Sequence, residues 1–132
     1  MTSNPNSIAQ MAAIEALEGD QTEIEEMRRI FELRRNLGYD LVASIPNVKC
    51  FKPEGAFYFF IDFSYYIGKE FNGKVIKNND ELCDFFINEL KVASITGSAF
   101  GSDKHVRFSF ATSKERFSEG ISRIKEGLKL LK

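Results

Sequence analysis

A chain of 132 residues, 43% hydrophobic and 28% charged, has the make-up of one ordinary soluble domain long enough to bury a core. A net charge of −1 argues against nucleic acid, whose phosphates are met by clustered cations, and no apolar run approaches the ~18 residues that cross a bilayer. One histidine and two cysteines without CxxC spacing leave no metal set and no disulfide scaffold, so reduced thiols in a cytoplasmic setting are expected.

In chain order, Asn4-Pro5 predicts a helix start, with Asn4 as cap and Pro5 at the first helical position. Ile8, Met11, Ile14 and Leu17 recur every three residues until Gly19 stops the pattern. Met1-Thr2-Ser3 leads straight into this helix with no folding unit in front of it, as expected of a chain cut from a longer one. A long amphipathic helix is predicted over 22–42, with Ile24, Met27, Ile30, Phe31, Leu37 and Leu41 on one side, a solvated charged face on the other and a kink or weak point at Gly38. Pro46 breaks the pattern. A short strand is predicted within 48–51, followed by a turn at Pro53-Glu54-Gly55. Residues 56–63, apolar on both faces, predict a central strand covered on two sides.

Asn72-Gly73 marks a turn inside a surface loop or irregular hairpin over 65–78. Asn78 with Glu81 reads as a capping box before a helix lined by Leu82, Phe85, Phe86 and Leu90, and a short strand follows over 92–96. Gly97 and Gly101 bound a loop able to turn tightly or approach a ligand. Thr112 with Glu115 opens a closing helix built on Phe117, Ile121, Ile124 and Leu128. These elements predict an α+β fold, a small and mostly antiparallel sheet packed with helices.

The stretch 105–111 is the one with chemistry. Alternation sends Val106, Phe108 and Phe110 to one face and His105, Arg107, Ser109 and Ala111 to the other. Arginine between phenylalanines has two readings: a planar fork clamping a carboxylate or phosphate, or an edge-strand cation paired with a nearby Asp or Glu. His105 as a general base with Ser109 as nucleophile lacks an identifiable acid. Tyr58, Phe60, Phe108 and Phe110 form a base-stacking platform only if an RNA-binding signature accompanies them, and it does not. No P-loop or dinucleotide fingerprint is present.

Thr2 to Gln10, Pro53 to Tyr58, Thr96 to Gly101 and Val106 to Ala111 together resemble, in order and spacing, the C-terminal part of class I aminotransferases of fold type I, with the nearest likeness to bacterial-type aspartate aminotransferases. The resemblance covers nearly all of 1–132. It implies that the chain is the C-terminal small domain of a dimeric enzyme, with the large cofactor-binding domain lying before Met1. It further implies that the parent moves an amino group between an amino acid, aspartate by likeness, and a 2-oxo acid, using pyridoxal 5'-phosphate. On this view Arg107 binds the substrate α-carboxylate, Phe100 lies in the loop at the active-site entrance, and Ser3 and Asn4 approach the neighbouring subunit's site. The Schiff-base lysine, the pyridinium aspartate and the phosphate cup belong to sequence before Met1, so the isolated chain is expected to be inactive and to bind no cofactor alone. The expected partners are its own large domain, a second subunit and the two substrates, with no nucleic acid, membrane or metal. The alternative is a free-standing module that binds a carboxylate or a protein without catalysis.

Overall fold

The computed structural model describes residues 3–132, which form two compact units divided between Ile30 and Phe31. The first unit holds helix α1 (Ser7–Glu18) and the opening turns of α2 (Thr22–Ala43). The expected cap at Asn4 is replaced by Asn6, whose side chain accepts from the Ala9 amide at 2.8 Å. Only the residue at which the chain first turns into the helix can reach that amide, so one cap-capable asparagine displaces the other. No residue of α1 is buried, and its apolar stripe, with Ile8 and Leu17 each 81% exposed, faces outward.

The second unit begins at Phe31 within α2 and continues through β1 (Lys49–Cys50), β2 (Tyr58–Asp62), the hairpin β3 (Glu70–Phe71) and β4 (Lys74–Val75), α3 (Asn79–Asn88), β5 (Ile95–Thr96), β6 (His105–Ser109) and α4 (Lys114–Leu128). Four strands form an antiparallel sheet in the order β1-β2-β6-β5, with β2 and β6 in the interior. The α+β class read from the sequence is the one observed. The hairpin turns at Asn72-Gly73, as its turn signal predicts. Two caps differ from their expected form. Glu81 returns its carboxylate to the Lys77 amide at 2.9 Å rather than to Asn78, and α4 is capped by Ser113, which accepts from Arg116, rather than by Thr112.

One face of the sheet is core. Phe59, Ile61, Val106, Phe108 and Phe110 are buried together with Phe63, Leu82 and Phe86, and with Ile121, Ile124 and Leu128 of α4. Phe86 of α3 lies with its ring centroid 5.9 Å from that of Phe108, and Phe117 of α4 lies 5.7 Å from Phe59. The other face of β2 is not closed over: Phe60 is half-buried and Tyr58 is exposed. The strand is therefore central in order but lacks the second cover that its apolar pattern predicts.

Gly38 produces no break in α2, contrary to the expected kink. A Cβ there would stand 2.7 Å from Cε2 of Phe59 and 3.1 Å from Cε1 of Phe117. The glycine lets two aromatic rings press onto the helix backbone. Gly38→Ala therefore gains about 1 kcal/mol of helix propensity and loses about 1–3 kcal/mol to overpacking. A lower denaturation midpoint is expected, whereas a surface helix glycine would give a higher one.

Cys50 and Cys83 are free thiols, each partly buried. Burial pushes the Cys50 thiol up to about 11, which keeps it protonated at neutral pH. No helix among the described residues is long and apolar enough to cross a membrane, and no group of His, Cys, Asp and Glu among them is placed to hold a metal.

Candidate functional site

The ladder between β2 and β6 sets Phe60 opposite Arg107, Tyr58 opposite Ser109 and Asp62 opposite His105, while β5 sets Ile95 on the other side of Arg107. Directly opposed residues of an antiparallel pair share a face, so Arg107 stands in the middle of the sheet's open surface. Tyr58 and Phe60 thereby separate from Phe108 and Phe110, which lie in the core, and the four do not form a single stacking platform.

The guanidinium carbon of Arg107 lies 4.4 Å from the Phe100 ring centroid and 5.1 Å from that of Tyr58. Among the described residues the guanidinium makes no ion pair and no hydrogen bond. The edge-strand reading fails on both counts, since β6 is an interior strand and no carboxylate among the described residues meets the arginine. Asp62, on the same face, accepts from the Ser64 amide at 2.8 Å. Burial raises its carboxyl, but the Ser64 bonds together with nearby His105 and Lys49 outweigh burial and hold it below the usual carboxylate range. Rings packed on a guanidinium shed water from it without engaging its N–H donors. The result is a half-buried fork of free donors, suited to a planar oxyanion held by two parallel bonds.

His105 stacks on Phe60 at 4.6 Å with an interplanar angle of 9°, and its Nδ1 pairs with the Ser102 hydroxyl at 2.6 Å. Ser109 donates to the Phe57 carbonyl and accepts from the Ala111 amide, not to or from His105. No acid hydrogen-bonds His105 among the described residues, so the hydrolase arrangement is not assembled.

Phe100 reaches Arg107 because the segment from Thr96 to His105 is tied into an arch. A 3-10 turn spans Gly97–Phe100, and the Ser102 amide donates back to the Gly97 carbonyl at 3.0 Å. Gly97 is a close-approach glycine: a Cβ would fall 2.6 Å from the Ser102 carbonyl oxygen and nearer still to that of His105. The Ser98 hydroxyl donates to Asp80 at 2.9 Å, and the hydroxyls of Thr96 and Ser98 hold the Asp80 carboxyl below its ordinary range.

Of the residues marked from sequence, Arg107 and Phe100 come together. Ser3 and Asn4 are exposed residues of the first unit, ahead of α1. Tyr58 belongs to the site yet is invisible in the sequence as such, because its side of the sheet follows from strand pairing.

The model of the family "Aminotransferase class I and II" matches residues 1–124. A probable aspartate/prephenate aminotransferase of Rickettsia typhi is 41% identical over 131 residues, which is 98% of this chain and 33% of that protein. The aspartate aminotransferase of Bacillus subtilis is 46% identical over 125 residues, 94% of this chain and 30% of its own length. The crystal structure of the aspartate aminotransferase from Rhizobium meliloti superposes with a TM-score of 0.92 at 36% identity, covering 99% of this chain and 33% of that one. The chain thus spans about a third of the length of the relatives it matches.

Proposed function

Because the chain belongs to the class I and II aminotransferase family, we propose that it is the C-terminal small domain of an aspartate-type aminotransferase and that Arg107 holds the substrate's α-carboxylate. The observation that carries this reading is the unpaired guanidinium of Arg107 in an interior strand, flanked by the rings of Phe100 and Tyr58. A cation this far inside a sheet face, with its donors free, is a receptor for an anion. A carboxylate matches its fork, and fixing the carboxylate orients the amine that reacts.

Pyridoxal phosphate, when bound to the enzyme, supplies the aldehyde that takes up and returns the amino group. The surroundings of Arg107 do not form a holder for it. Around Arg107 stand Tyr58, Phe60, Phe100 and His105, with no lysine among them. In the proposed arrangement the large domain holds the cofactor and this chain contributes the carboxylate clamp. The outward apolar stripe of α1 supports surfaces made for the large domain and a second subunit, with Ser3 and Asn4 directed to the partner's site. The setting is the reducing cytoplasm. The substrates are an amino acid, with aspartate favoured by the names of the relatives, and a 2-oxo acid.

The test is amino transfer from aspartate to a 2-oxo acid, followed as new amino acid formed. The full-length protein supplied with pyridoxal phosphate is expected to transfer, and the 132-residue chain alone is not. A full-length protein that transfers from no amino acid would overturn the reading.

A further inference from the structure

Asn79 opens α3 and is only 1% exposed. A buried amide left unpaired is costly, and this one is engaged in a particular way. Its Nδ2 donates to two main-chain carbonyls, that of Ser102 at 2.8 Å and that of His105 at 3.1 Å. These are the carbonyls that Gly97 passes at close range on the opposite limb of the arch. The amide thus ties the descending limb of the arch to α3 at the level where the two limbs press together, and Asp80, the next residue of α3, ties the ascending limb through Ser98. Phe100 stands between these ties, its ring against the Arg107 guanidinium and edge-on to Phe60 at 6.1 Å.

We propose that Asn79 is a positioning residue for the carboxylate clamp: by holding the carbonyls of Ser102 and His105 it fixes the arch that carries Phe100, and Phe100 fixes the guanidinium of Arg107. The inference rests on the carboxylate role of Arg107 and extends it to a residue that touches neither substrate nor arginine. A free guanidinium on a flexible stem samples many orientations, and one held against a ring is ready for a ligand. The amide suits the task, since it presents two hydrogens to two acceptors that the backbone itself leaves over.

The test is steady-state kinetics of the full-length holoenzyme carrying Asn79→Ala, Phe100→Ala and both, with Ile124→Ala as a control for lost stability, since Ile124 is fully buried in α4 and belongs to neither the arch nor α3. Asn79→Ala is expected to raise KM for the amino acid and the 2-oxo acid about ten- to a hundredfold, the scale of misplacing a binding group by an ångström, with a smaller change in kcat. In the Phe100→Ala background the same substitution should change KM less than about twofold, because the ring it positions is gone. Ile124→Ala should lower Tm and leave KM where it was. Should Asn79→Ala fail to accumulate, Asn79→Ser keeps one side-chain donor and should show a weaker form of the same KM effect. A lower Tm with unchanged KM, or an equal rise of KM with and without Phe100, would make Asn79 merely structural and overturn the proposal. If Arg107→Ala also leaves kcat/KM unchanged, the carboxylate reading fails and takes this inference with it. If Arg107→Ala is impaired and Asn79→Ala is not, only this inference fails.

Discussion

Arg107→Ala in the full-length enzyme is expected to lower kcat/KM by roughly 30- to 5,000-fold, the kinetic equivalent of about 2–5 kcal/mol for removing one partner of a desolvated charge pair. The loss should be shared by the amino acid and the 2-oxo acid, because both bring the same carboxylate to the same fork. Fold stability should fall by no more than about 1–2 kcal/mol. The guanidinium bonds to no other described side chain, so its removal forfeits two ring contacts, each worth about 0.5–1 kcal/mol at a half-exposed site. Arg107→Lys keeps the charge but gives a point donor in place of a planar fork, and it should recover only part of the activity. A folded Arg107→Ala enzyme with unaltered kcat/KM would leave the clamp without a ligand.

The elements of the fold were legible because their signals are local. The periodicity of 121, 124 and 128 marks the buried side of α4, and the alternation of 106, 108 and 110 marks the core side of β6. Features that depend on pairing were not. Strand parity separates Tyr58 from Phe59, but only the register with β6 says that Tyr58 shares a face with Arg107. Caps were legible to within two residues, since Asn4 and Asn6, or Thr112 and Ser113, are chemically equivalent until the backbone turns. Gly38 looks like a helix breaker in one dimension and is a docking point for two rings in three. Asn79 was hidden for a related reason. At the start of a helix an asparagine reads as part of a cap, and the carbonyls it serves lie more than twenty residues away. Ile8, Met11, Ile14 and Leu17 mark an apolar stripe on α1, but periodicity reports that a face is apolar and not what covers it.

Phe59→Ala is the substitution expected to cost most in stability, about 3–5 kcal/mol, a large share of the roughly 5–15 kcal/mol that holds a domain folded. Phe59 is fully buried, with its ring 4.9 Å from Phe110 and 5.7 Å from Phe117, and it is the ring pressed against Gly38. It therefore joins β2 to β6's continuation, to α4 and to the α2 backbone at once, and neighbours anchored on separate elements cannot all move in to fill the space it leaves. Urea denaturation followed by helix signal measures the loss. Phe51→Ala, at a residue 95% exposed, should stay within about 0.5 kcal/mol of the parent and serves as the reference. The contact with Gly38 adds a sharper check. Gly38→Ala is destabilising because its methyl meets the Phe59 ring, so in a Phe59→Ala background the same change should cost much less or become favourable, a coupling typical of residues that share one space. Two costs that simply add, or a Phe59→Ala loss below about 1.5 kcal/mol, would mean that the core relaxes around this position and that the tight packing of ring on helix does not hold β2 to α2.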